Sequence, residues 1–190
     1  HYVMEHLYKE FENQEISQEI LEEKIINRQE KLDLLLKRAM IKEIHQLNKE
    51  EEIDNLMEVY TIKGIMQLTM EVIKEYVLAC VKQDIAITPF VYVGGEKNYH
   101  RVLANENPAY NIKIKGTIDR IDSRNDGIHI IDYKTSNVKE DKSNNQALIN
   151  IADLFDPDSK VEKKNELLQV CFYKLLTAQE FTGKNVSCHL

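Results

Sequence analysis

Cysteine is scarce in this chain, and so are long apolar runs and surplus positive charge. The three cysteines among 190 residues, Cys80, Cys171 and Cys188, are scattered and odd in number. They form neither a disulfide framework nor the paired spacing of a metal knuckle, so a reducing, cytoplasmic setting is expected. No run of about 18 apolar residues occurs, so no membrane span is expected. The N-terminal stretch is charged and amphipathic rather than signal-like. A formal charge of −7 is not that of a free-standing, tight binder of polyanions, because phosphate attraction needs local positive charge. Much of the acidity lies before residue 60, and no internal repeat is visible. What the chain does have is apolar content: 43% hydrophobic residues suffice for one domain over 1–190 with a sizeable core. It opens without methionine inside an amphipathic helix and stops at Leu190 as a strand begins. A piece of a longer protein is therefore expected.

Periodicity divides the chain. His1 to about Phe11 reads as a helix with Val3, Met4, Leu7, Tyr8 and Phe11 on one stripe. Asn13 to Ser17 is a break, with Ser17 a candidate N-cap. Gln18 to about Asn48 and Ile53 to Lys82 carry helical spacing. They form a long helical insert over about 16–83, either two packed helices or a short coiled-coil-like pair. Ile85 to Val93 alternates as a strand, with Pro89 marking an edge or a start. Gly94-Gly95 signals a turn, and Glu96 to Leu103 follows as the return strand. Residues 137–164 are polar and read as a mobile loop. Asn165 to about Phe181 is a helix ended by Gly183, and Val186 to Leu190 begins another strand. This order fits a central sheet flanked by helices.

The chemistry concentrates in Gly116-Thr-Ile-Asp-Arg-Ile-Asp122 and Ile130-Ile-Asp-Tyr-Lys-Thr135. Both are β-branched runs, and Asp126-Gly127 between them is a favoured hairpin turn. That turn places Asp119 opposite Lys134 and Ile121 opposite Asp132, so Asp119, Asp132 and Lys134 share one face. Carboxylates are hard oxygen ligands for Mg²⁺ or Mn²⁺, which activates water and stabilises charge on a phosphate. A lysine beside them orients or deprotonates the water, or neutralises developing charge. Side by side and without a cation, the two carboxylates repel. Four other acidic-x-Lys triplets, at Glu22, Glu140, Asp158 and Glu162, sit in polar sequence and read as solvated faces. Only Asp132-Tyr-Lys134 ends an apolar strand that has a second aspartate on its partner. An exposed, salt-bridged hairpin is the structural alternative.

Four separated pieces resemble the RecB-like branch of the PD-(D/E)XK nuclease superfamily. His1-Tyr-Val-Met-Glu5 looks like its first helix, Gly116 to Asp122 its second motif, and Ile131 to Thr135 its third. Gln169-Val-Cys-Phe-Tyr173 looks like the fourth. The resemblance implies a restriction-endonuclease-like α-β-β-β-α-β core with a mixed sheet. It implies metal ligands at His1, Asp119, Asp132 and the Tyr133 backbone carbonyl, and a catalytic Lys134 supported by Gln169 and Tyr173. Glu5, one turn after His1, is a candidate support for the metal or an ordinary surface residue. Arg120 points away from Asp119 and is assigned packing or an ion pair first and DNA contact second. Thr135 and Ser136 hydrogen-bond a phosphate or merely end the strand. Some RecB relatives carry an iron–sulfur cluster; three isolated cysteines fall short of four thiolates, so none is expected here. The implied activity is a Mg²⁺- or Mn²⁺-dependent deoxyribonuclease, exonuclease rather than endonuclease, in a helicase–nuclease-like repair or recombination protein. Its partners would be DNA and helicase-like regions of the same polypeptide or another subunit. The alternatives are a restriction-type or CRISPR-adaptation nuclease, and a non-cutting DNA-binding or scaffolding domain.

Overall fold

The computed structural model describes residues 1–104, 106–134 and 164–189. Thr135, Ser136 and nearly all of the expected loop at 137–164 lie outside the described residues. Among those described, five strands form one mixed sheet in the order β1-β2-β3-β4-β5, so the chain is a mixed α/β protein. It packs as two compact units, one of residues 1–94 and 123–125, the other of 95–122 and 126–190.

In the first unit, α1 (Tyr2–Tyr8) buries Val3, Met4, Leu7 and Tyr8. The expected break after it holds a short strand, β1 (Gln14–Ile16), antiparallel to the start of β2 (Phe90–Leu103), with Ile16 opposite Phe90. Three residues, of which Ile16 alone is buried, are too few to show a period of two. Ser17 caps α2 (Gln18–Leu21), its hydroxyl accepting the Ile20 N–H at 3.4 Å. The single helix expected to Asn48 is interrupted by a π turn at Glu22–Ile26 before α3 (Gln29–His45). Gln46, left-handed at φ 51°, ends α3.

The second expected helix is also two, α4 (Glu50–Val59) and α5 (Ile65–Ala86), parted just before Ile65 by Gly64 at φ 64°. A positive φ breaks helical geometry and suits glycine. Arg38 of α3 pairs with Asp54 and Glu50 on α4, and Lys74 of α5 holds Asp33 at 2.5 Å. So α3 packs against α1, α4 and α5, which answers the coiled-coil alternative: it is one member of a helical cluster.

The reversal expected at Gly94-Gly95 is absent. β2 runs from Phe90 through both glycines to Leu103. Gly94 at φ 148° and Glu96 at φ 48° distort the strand without ending it.

The second unit holds the rest of β2, most of β3 (Ile112–Arg124), β4 (Gly127–Ile131), α6 (Lys164–Thr177) and β5 (Val186–His189). The β3–β4 turn falls on Asn125-Asp126, one residue earlier than expected. Gly127, at φ 138°, belongs to β4 instead; a Cβ there would meet the Asn185 carbonyl oxygen at 2.4 Å. Its bare backbone lets β5 lie parallel to β4, with Ile128 opposite Val186 and Ile131 opposite His189. Ile118, Ile121, Ile128 and Ile130 are buried, as are Tyr173 and Leu176 of α6. A Cβ on Gly116 would stand 2.9 Å from Leu176 Cδ1. This glycine therefore sets how closely α6 approaches β3. No helix among the described residues is long and apolar enough to cross a membrane.

Candidate active site

The second unit brings Asp119, Asp132, Lys134, Gln169 and Tyr173 together. Asp132 follows β4, its own N–H donating to the His189 carbonyl at 2.9 Å. The side chain is 5% exposed. Its Oδ1 accepts the Tyr173 hydroxyl at 2.5 Å and the Gln169 Nε2 at 2.7 Å. Gln169 Nε2 also donates to the Tyr173 oxygen at 2.6 Å, and Gln169 Oε1 accepts from Lys134 Nζ at 2.9 Å. Lys134 Nζ returns to Asp132 Oδ2 as an ion pair at 2.6 Å. The ring closes through the two amide protons, the phenol proton and one ammonium proton, with the Lys134–Asp132 ion pair as its last leg. The i, i+4 spacing of Gln169 and Tyr173 on α6 puts both on one helix face. The Gly116 approach holds that face over the sheet.

Asp119 enters from β3, and its Oδ2 accepts the Tyr133 N–H at 2.8 Å. This bond places it against the backbone of the Asp132–Lys134 segment, although the turn is displaced from Asp126-Gly127. Burial holds the Asp119 carboxyl above the ordinary carboxylate range, and the charge of Asp132 adds to the rise. The Tyr133 N–H opposes both. The Tyr173 phenol is likewise raised, first by burial and then by its bond to Asp132.

Arg120, 2% exposed, forks onto Asp122 with Nε to Oδ1 at 2.8 Å and Nη2 to Oδ2 at 2.9 Å. Its Nη1 donates to the Tyr133 hydroxyl at 3.1 Å. Arg120 is thus buried in an ion pair with Asp122. Its fork holds Tyr133, whose N–H holds Asp119. Charge-assisted, bidentate pairing of this kind fixes geometry as well as energy.

One acidic residue escaped the sequence reading. Glu96 on β2 offers a carboxylate oxygen within 4.8 Å of one on Asp119. Its backbone is left-handed at φ 48°, a conformation that non-glycine residues adopt at a cost and that clusters at functional sites. The available signal was a carboxylate directly after Gly94-Gly95, which read as a turn. His1 and Glu5 stand on the first unit, at the N-cap and in the first turn of α1. The family resemblance implies a metal-ligand role for His1 and a supporting one for Glu5.

Against this geometry, the model of the PD-(D/E)XK nuclease superfamily matches residues 1–188. The chain belongs to the PD-(D/E)XK nuclease superfamily. No curated protein and no solved structure gives a significant match. Nucleases of this superfamily generally use divalent metals such as Mg²⁺, and the donor set fits one. Asp132 Oδ2 is buried and accepts no aligned hydrogen bond, although the Lys134 ammonium stands beside it. Asp119 and Glu96 add hard oxygen donors; burial first and the charge of Asp132 second raise the Asp119 carboxyl, and a cation would offset the second.

Proposed function

We propose that this superfamily member is a Mg²⁺- or Mn²⁺-dependent deoxyribonuclease, acting on DNA ends as an exonuclease within a helicase-associated repair or recombination protein. The observation that carries the hydrolytic part is the closed ring of Asp132, Tyr173, Gln169 and Lys134. It supports a lysine held in one place beside a buried carboxylate. End-cutting and the helicase association rest on the RecB-like motifs.

Asp119, Asp132 and the Tyr133 carbonyl would hold the ion, with Glu96 beside Asp119. A bound divalent ion supplies a Lewis acid that lowers the pKa of water and offsets charge on the phosphate. Lys134 orients the attacking water and stabilises the phosphate's developing charge. Gln169 keeps Lys134 in position through Oε1 while its amide protons and the Tyr173 hydroxyl hold Asp132. Arg120 and Asp122 keep the Tyr133 backbone fixed, which sets the Asp119 carboxylate.

Digestion of linear DNA with Mg²⁺ or Mn²⁺ tests the reading. We expect Lys134→Ala to lose at least about a hundredfold in rate, the scale on which removal of one charge-stabilising group acts. Wild type in chelator should be inactive. Equal digestion by wild type and Lys134→Ala removes the mechanism.

A further inference from the structure

We infer that the exposed face shared by β2 and β3 in the second unit is a track for one nucleic-acid strand, with phosphates on Lys113 and Lys115 and a base on Tyr110. The inference rests on the nuclease reading for the identity of the polyanion that reaches Asp119. Along β3 the exposure alternates: Lys113, Lys115 and Thr117 are exposed, and Asp119 has the same parity. The other parity turns inward, with Gly116 under Leu176 and Ile118 and Arg120 buried. Lys113, Lys115, Thr117 and Asp119 therefore line one face. At about 3.4 Å per residue, Lys115 lies about 14 Å and Lys113 about 20 Å along the strand from Asp119.

β2 alternates as well, exposing Asn98 and His100. The Thr117 hydroxyl donates to Asn98 Oδ1 at 2.8 Å, which joins the two rows and leaves the Asn98 amide protons as donors. β4 has five residues, so among the described residues it covers only the turn end of β3, and the lysine half is a two-strand ribbon, narrower than a duplex. Tyr110 stands just before β3 and is 68% exposed.

Charge selects the ligand. In a chain of formal charge −7, Lys31 and Lys74 each hold a carboxylate. Among the described residues, neither Lys113 nor Lys115 has such a pair. Two ammonium groups without a carboxylate partner among the described residues, at alternate strand positions, with an aromatic ring at one end and carboxylates at the other, match a backbone that must be led to a cutting site. Stacking on an exposed aromatic tolerates any base.

Fluorescence anisotropy with a short single-stranded oligonucleotide in chelator tests the track without cleavage. Lys113→Gln with Lys115→Gln should weaken binding roughly tenfold or more at low salt. It should also reduce the slope of log affinity against log salt by about 1.4, the share of two single-strand phosphate contacts. Lys63→Gln with Lys184→Gln, two exposed lysines elsewhere, makes the same change in net charge and should alter neither. Tyr110→Ala should lose roughly tenfold and Tyr110→Phe little. Equal affinity and slope for the two double variants would overturn the track, as would tighter binding of duplex than of single strand. Mn²⁺-dependent hydrolysis of a small phosphodiester by wild type reads the nuclease chemistry separately. Absence of that hydrolysis and of DNA digestion in wild type would sink the nuclease reading, while the anisotropy still decides the track.

Discussion

At Asp119, burial and neighbouring charge both pull against ionisation. Its carboxyl is raised first by burial and further by Asp132, so the folded chain holds that proton more tightly than the unfolded chain does. The associated stability is complete below the ordinary carboxylate range near pH 3.9 and is lost as pH rises through the higher folded value. An asparagine in its place would keep an oxygen for the Tyr133 N–H and carry no charge. In chelator, Asp119→Asn should therefore melt higher than wild type at pH 7, by a few degrees at most, and the gap should close towards pH 4. Thermal melts across that range check the sign. A gap that is flat with pH, or reversed, would mean that Asp119 is not under electrostatic strain. The same variant should abolish cleavage, separating what the residue costs the fold from what it gives the chemistry.

Among the elements, β4 and its neighbours show most clearly what a sequence makes legible. The apolar runs around Ile118 and Ile130 are β-branched and bounded by turn residues, so the strands carrying Asp119 and Asp132 could be read directly. Gln169 and Tyr173 came from the family resemblance, and helical spacing adds only that they share one face. Features that depend on distant packing could not be read in this way. β1 exists because Phe90 to Tyr92 offer it a partner, and three residues carry no period. Gly94-Gly95 looked like a reversal, yet both glycines lie within a continuous strand, and Glu96 was missed as a consequence. Gly127 looked like half of a turn, but its bare backbone lies against Asn185, just before β5. A methyl group there would strike the Asn185 carbonyl at 2.4 Å and would also have to adopt φ 138°. Gly127→Ala should thus cost about 1–3 kcal/mol from backbone strain, before any loosening of the β4–β5 pair. Denaturant melts should show a lower midpoint, and activity should fall because Asp132 hangs on His189 of β5 by its N–H. A midpoint within error of wild type would show that β5 can retreat freely.

For the whole molecule, the question is whether a divalent ion binds at one place or gathers diffusely on an acidic surface. The chain has 32 acidic residues against 25 lysines and arginines, so some stabilisation by any cation is expected from screening alone. A specific site behaves differently, because an ion that binds only the folded state stabilises it by mass action. At a hundred times Kd the gain is about 2.7 kcal/mol, which for a chain of this size is about 5–10 °C in Tm. Mn²⁺ should thus raise the wild-type Tm well beyond what sodium does at equal ionic strength. The shift should shrink below about pH 4.5, where carboxylates must lose protons to become ligands. Asp132→Asn should remove the specific part and leave the screening part, whereas Glu51→Gln, on an exposed stretch of α4, should remove neither. If the two variants respond alike to Mn²⁺, the ion is held by the surface as a whole, and Asp119 and Asp132 lose the role assigned to them.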